Sequence, residues 1–361
     1  MRFVISVWNL MDSDEKFEET NPLLYLAQRK SEIGSSLDID VLVLSGFEKL
    51  SERYKSTLES FGVILHNATY LTRQVEVDFP RLAVNYERWG GIRHYGIMRF
   101  LIIPLMFPGE DICFFDSDML PNARLEELKV EFLDKTFVLG GSTCLGAISD
   151  AEWWKELRRG AVLLETDPDK FAKTYAPGNS AEVCLDPKRA GGSDQALVKY
   201  MIASGALRQD DVPFFTADQG DLVLFPNWLH LGLKARGWKY QRHKGIDYLN
   251  GKKVGISHMS NDFCSFLGFF LWVKYVKRWH DFGRLPAPYF ALVEGAQDEE
   301  KTTLYRNVKK TYLTKRALSS SVASIIDDPF SRRSVLKHFY EDSDFSEVFN
   351  DKWWWQSDVF L

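Results

Sequence analysis

The chain has little cysteine, no long apolar run and no excess of positive charge, and each shortage closes off a class of protein. Its four cysteines, Cys113, Cys144, Cys184 and Cys264, lie far apart with no Cys-x-x-Cys spacing, so neither a zinc site nor a disulfide framework is implied. Cys113 sits inside a strand-like run and reads as core. The most apolar later stretch, Phe263 to Val276, is interrupted by Lys274 and falls short of the roughly 20 residues a membrane-spanning helix needs. A net charge of -5 argues against a general nucleic-acid binder, so no nucleic-acid partner is expected. Internal repeats and low-complexity linkers are missing as well. Met1 to Trp8 is too short for the apolar core of a secretory signal and soon turns acidic, so it reads as a first strand. The expectation is a soluble, cytoplasmic protein, with peripheral attachment to a membrane left open.

What is present suffices for a large core. With 361 residues, 45% of them hydrophobic and 14% aromatic, the chain predicts one big domain or two. Arg2 to Val7 is apolar and β-branched, 21–33 has a helical pattern, and Ile39 to Leu44 is a second strand ending at Ser45-Gly46. Residues 51–61 then predict a helix and 62–65 a third strand. Strands alternating with helices point to a parallel sheet with right-handed crossovers. The ligand edge of that sheet would carry Trp8-Asn9, Ser45-Gly46 and His66-Asn67, candidates for holding a base and ribose or else ordinary loop residues. Further on, 137–149 reads as strand, glycine turn and strand, and 177–192, rich in Gly, Pro, Ala and Asn, reads as a loop.

The chemistry concentrates in Asp111-Ile-Cys-Phe-Phe-Asp-Ser-Asp-Met-Leu-Pro121. Here an apolar strand delivers Asp116 and Asp118, with Ser117 between them, to its carboxyl end. Carboxylates at i and i+2 can share one hard divalent cation, and such a cation can hold a diphosphate. Asp-x-Asp also occurs at 12–14, 38–40, 167–169 and 342–344, so the spacing alone decides nothing. Context separates 116–118 from the other copies. It alone follows an amphipathic helix, Arg93 to Pro108, that stops at the proline pair Pro104 and Pro108, and then a buried-looking strand.

These segments resemble the retaining nucleotide-sugar transferases of the family that includes glycogenin and the bacterial lipopolysaccharide galactosyltransferases. That family's pattern runs Tyr-x-Arg-Leu, an apolar stretch with two prolines, then a strand ending in Asp-x-Asp. Tyr95, Arg99, Pro104, Pro108 and Asp116 to Asp118 follow in that order, although three residues rather than one separate Tyr95 from Arg99. Asp194-Gln195, within Gly-Gly-Ser-Asp-Gln-Ala, and His258, after the strand-like 253–257, match two later landmarks. The resemblance spans about 1–262 and implies an α/β fold of the GT-A type, a Rossmann-like mixed sheet flanked by helices. It implies Mn²⁺ or Mg²⁺ held by Asp118 with Asp116 and His258, and a UDP-sugar donor contacted by Arg99. Asp194 would hydrogen-bond the donor sugar, Gln195 would lie near its anomeric carbon, and 137–149 would pass beneath it. A glycan or glycolipid acceptor and retention of configuration follow from the same resemblance. One departure stands out: the family's Gly and Lys-Pro-Trp after the His are replaced by His258-Met-Ser-Asn-Asp-Phe-Cys264, which leaves no lysine assigned to phosphate.

Other readings fit parts of the same pattern. Asp194 at a helix start is also a good cap, and a lone His beside a strand is often only hydrogen-bonded. An inverting GT-A enzyme would need a base such as Asp194 toward the acceptor. A phosphatase of the haloacid dehalogenase type also carries Asp-x-Asp after an apolar strand, but near the start of its core, and it needs a further acidic pair. A non-catalytic sugar-binding relative would not require Asp116, Asp118 and Asp194. Beyond 262 the character changes to a helical extension, 263–361. Phe269, Phe270, Trp272, Tyr275 and Trp279 there interleave with Lys274, Lys277 and Arg278. That pattern suits either packing on the catalytic domain or adsorption to an anionic membrane.

Overall fold

β1 (Arg2–Val7), β2 (Ile39–Val43), β3 (Val63–Asn67) and β4 (Ile112–Phe115) are apolar runs rich in β-branched and aromatic residues, and they pair in parallel. The computed structural model describes residues 1–7, 22–82, 94–115, 119–132, 137–139, 146–185, 193–210, 222–223, 240–243, 246–249 and 251–258. Every residue of β2 and β4 is buried, as strands covered on both faces must be. β6 (Phe137–Leu139) and β7 (Gly146–Ile148) complete a six-stranded sheet in the order β3-β2-β1-β4-β7-β6. These last two run antiparallel to each other, as the glycine-centred strand pair at 137–149 predicts, and β7 runs antiparallel to β4. The fold is therefore the expected Rossmann-like mixed sheet flanked by helices, the arrangement of a GT-A type domain.

Helices fill the crossovers. α1 (Pro22–Glu32) joins β1 to β2, α2 (Glu52–Ser60) joins β2 to β3, and α3 (Thr69–Asp78) and α4 (His94–Met106) lie between β3 and β4. The Ser51 hydroxyl accepts from Tyr54 N, which sets where α2 begins. α5 (Leu125–Phe132) follows the strand after β4. α6 (Ala151–Thr166), α7 (Pro168–Tyr175), α8 (Ala181–Leu185) and α9 (Ser193–Ala203) come next. Asp150 and Asp167 cap α6 and α7. One core joins Val4, Leu42 and Phe114 of the sheet to residues of α3, α4, α6, α7 and α9.

α4 departs from expectation twice. Instead of an amphipathic helix it is buried on all sides from Ile97 to Ile103, because the sheet lies on one side and α3, α6 and α9 pack on the others. It also continues through Pro104, which forfeits only its own N–H bond, and stops at Phe107-Pro108-Gly109, where Gly109 has φ +77°. The segment 177–192 is not wholly loop either, since α8 occupies part of it.

Two smaller sheets lie apart from the main one. β8 (Leu222–Val223), β9 (Tyr240–His243), β10 (Ile246–Leu249) and β11 (Lys252–Val254) form a four-stranded sheet in the order β8-β11-β10-β9. β5 (Met119–Pro121) pairs antiparallel with β12 (Ile256–His258). The strand expected at 253–257 is thus two strands, broken at Gly255, whose carbonyl accepts from Asn122 N (2.8 Å) and Ala123 N (2.9 Å). The expected extension 263–361 and its expected boundary with 1–262 lie outside the described residues.

Candidate functional site

β1 and β4 are neighbours, with Ile5 opposite Phe115, yet the chain visits β2 and β3 between them. The order of the sheet therefore reverses at this pair, and ligands of open α/β sheets bind beyond the carboxyl ends of strands at such a switch point. Because the two strands are parallel, Trp8-Asn9 and Asp116-Ser117-Asp118 continue the chain from adjacent carboxyl ends. All five of these residues lie outside the described ones.

The chain resumes at Met119 in β5, where the register is Ile256 to Pro121, Ser257 to Leu120 and His258 to Met119. His258 is thereby brought opposite the residue that follows Asp118, although the two are remote in sequence. The expected donor set of two carboxylates and an imidazole suits a hard or borderline divalent cation, and this register suits their acting together. Among the described residues there is no group of three or more His, Cys, Asp or Glu that could hold a metal ion.

Contacts made by three residues, Arg29, Asn122 and Lys253, hold this ribbon and the strand before β12. Arg29 of α1 donates from Nε to Pro121 O (3.0 Å) and from Nη2 to Asn122 Oδ1 (2.6 Å). Asn122, only 2% exposed, donates from Nδ2 to Val254 O (3.0 Å). Lys253 Nζ lies 2.8 Å from both carboxylate oxygens of Glu127. Burial works against the charge of Glu127, but the hydrogen bonds from Lys253 and Arg124 outweigh it and hold the carboxyl below its ordinary range. Beside it, Glu126 accepts from Ser36 N (2.8 Å), Ser36 Oγ (2.6 Å), Leu37 N (3.1 Å) and Ser35 Oγ (3.0 Å). Burial again opposes the charge, and these bonds overcome it, bringing the carboxyl down to about 2. Sequence reasoning missed these contacts, for Arg29 and Asn122 belong to no motif.

Arg99 sits on α4 at 2% exposure, with its guanidinium carbon 5.1 Å from the Phe100 ring and 5.8 Å from the Phe114 ring. Phe114 is two residues before Asp116, so a permanent cation lies under the strand that leads to the carboxylates. Tyr95, Asp194 and Gln195 are placed by their backbones alone. Tyr95 is in the first turn of α4, while Asp194 and Gln195 are in the first turn of α9, which begins at Ser193 and packs on α4.

His66 has partners within the sheet: its Nε2 lies 2.7 Å from Asp40 Oδ1 and its ring stands edge-on to Phe107. Arg2 Nη1 donates to the other Asp40 oxygen at 3.1 Å. Burial alone would raise the Asp40 pKa, but hydrogen bonds from His66 and Arg2 lower it overall. Asn67 Oδ1 accepts from Thr69 N (3.1 Å) at the start of α3, a structural use. Cys113 is core as expected, with burial pushing its thiol pKa up.

No protein-family model matches the chain, and no curated protein matches it. Among solved structures, the chain is similar to the apo form of mouse xyloside xylosyltransferase 1. The identity is 14% and the TM-score 0.27, with 58% of this chain and 76% of that chain covered. Among the described residues, no helix is long and apolar enough to cross a membrane.

Proposed function

We propose that the chain is a metal-dependent glycosyltransferase that moves a sugar from a nucleoside-diphosphate sugar, UDP-linked by preference, to a glycan or glycolipid acceptor with retention. The observation that carries this reading is the pairing of His258 with Met119, directly after Asp118, beside the switch point of the sheet. Asp118, Asp116 and His258 would hold Mn²⁺ or Mg²⁺. A bound cation there neutralises charge that develops on the departing diphosphate. Arg99 adds a fixed positive charge near the strand from which Asp116 emerges, Trp8 and Asn9 would receive the base and ribose, and Ser117 would lie along the diphosphate. Asp194 would accept hydrogen bonds from donor-sugar hydroxyls, leaving Gln195 to meet the anomeric carbon. The membership in the glycogenin-like family that the motif order suggests belongs to this proposal.

The position of the motif favours this over a phosphatase. Asp116 to Asp118 follow β4, the fourth of the described strands rather than the first, and β5 then leaves the main sheet. The test is a panel of nucleotide sugars incubated with Mn²⁺ or with EDTA, scored for released nucleoside diphosphate. Turnover of one UDP-sugar in Mn²⁺ supports the proposal. Phosphate released from a phosphomonoester instead, or donor binding without turnover, contradicts it.

A further inference from the structure

Among the described residues, β5 and β12 pair with each other and with no other strand, over three residue pairs. A ribbon that short is marginal by itself, and a slip of one residue would turn each side chain to the opposite face. His258 would then lie opposite a residue other than Met119. Something outside the ribbon must fix the register.

Arg29 and Asn122 meet that need. Arg29 reaches from α1, on the far side of β5, and its planar fork grips two acceptors at once, Pro121 O and Asn122 Oδ1. Asn122 passes the constraint on, giving its amide N–H to Val254 O and its backbone N–H to Gly255 O, the two residues that precede β12. Pro121 has no N–H, so within this turn its carbonyl is the group left to anchor. The chain thus locks the residue after β5 to the residues before β12, and any slip of the ribbon breaks these bonds together. Leaving Asn122 buried without them is disfavoured, which makes the register effectively single.

We propose that Arg29 and Asn122 are positioning residues that fix the register of β5 against β12, and through that register the binding of one divalent cation by Asp118 and His258. This rests on the metal reading above. The fork matters more than the charge: a lysine at position 29 cannot hold both acceptors in one plane.

The test uses the full chain with Arg29→Lys, Asn122→Asp and, as a control, Glu126→Gln, which loosens the 35–37 segment but not the ribbon. Mn²⁺ binding is titrated by electron paramagnetic resonance of the free ion, and thermal melting is followed in EDTA. Arg29→Lys and Asn122→Asp are expected to weaken Mn²⁺ binding by about tenfold or more, while Glu126→Gln melts lower and binds Mn²⁺ as the wild type does. Unchanged Mn²⁺ affinity in folded Arg29→Lys and Asn122→Asp overturns the inference and leaves the metal reading standing. An equal loss in Glu126→Gln also overturns it, since general destabilisation then explains the effect. Wild-type protein that binds no Mn²⁺ overturns the metal reading and this inference with it. Should Asn122→Asp not fold, Arg29→Lys decides alone.

Discussion

His258 lies opposite Met119 in the antiparallel ribbon, and Met119 is the residue after Asp118. The ribbon thereby pairs His258 with the residue that follows Asp118, although the two are far apart in the chain. If His258 is a ligand, His258→Ala should raise the Mn²⁺ concentration needed for half-maximal donor hydrolysis by about ten- to a hundredfold. Rate at saturating metal should recover in part, because the carboxylates remain. A metal titration identical to the wild type would remove His258 from the site.

The order of strands and helices was legible because each element carries its own local pattern. β2 and β4 are continuous apolar runs, and Ser51 marks the start of α2 by the cap it supplies. What sequence could not convey is pairing between remote segments. Nothing around Asn122 signals that its amide meets Val254, and nothing around His66 signals that Asp40, on the neighbouring strand, claims its ring. Pro104 misled for a related reason: a proline stops an isolated helix, but the packing around α4 holds the helix for a further half turn. The Asp-x-Asp at 116–118 stood out only through its place in the sequence after a buried strand, and that strand, β4, is one of the two at the switch point.

Asp194 has two readings that one pair of measurements separates. If it meets the donor sugar, Asp194→Ala should lower turnover by about 100-fold or more while UDP, which lacks the sugar, still binds. If it serves only the first turn of α9, the variant should lose about 1 kcal/mol of stability and keep its rate. Turnover and a thermal melt on the same preparation decide between them.

Glu126 should make stability depend on acid in a defined direction. Its folded pKa of about 2 lies below the ordinary 4.5, so its contribution is complete above 4.5 and fades as pH falls through about 2. Glu126→Gln should cost about 1–2 kcal/mol at neutral pH, allowing for partial exposure. The gap in Tm between the two proteins should narrow below pH 4 and close near pH 2. A gap that stays constant with pH would show that the carboxylate charge is not its source.

The aromatic and basic extension has two readings, packing on the rest of the chain or adsorption to a membrane. If it meets a membrane, neutralising Lys274, Lys277 and Arg278 together should weaken adsorption to anionic vesicles, more at low salt than at high salt, and leave donor hydrolysis almost unchanged. Wild-type protein that does not cosediment with such vesicles contradicts this and leaves packing on the catalytic domain as the role of the segment.

The central claim is that Asp118 holds a cation needed for sugar transfer. It is tested most directly by the rate of UDP release from a UDP-sugar by wild type and Asp118→Asn, each in Mn²⁺ and in EDTA. An amide is a poor substitute for an anionic ligand on a hard cation. The account predicts turnover for the wild type in Mn²⁺ alone, and none for a folded Asp118→Asn in either condition. Wild-type turnover that persists in EDTA, or normal turnover by Asp118→Asn, would contradict it.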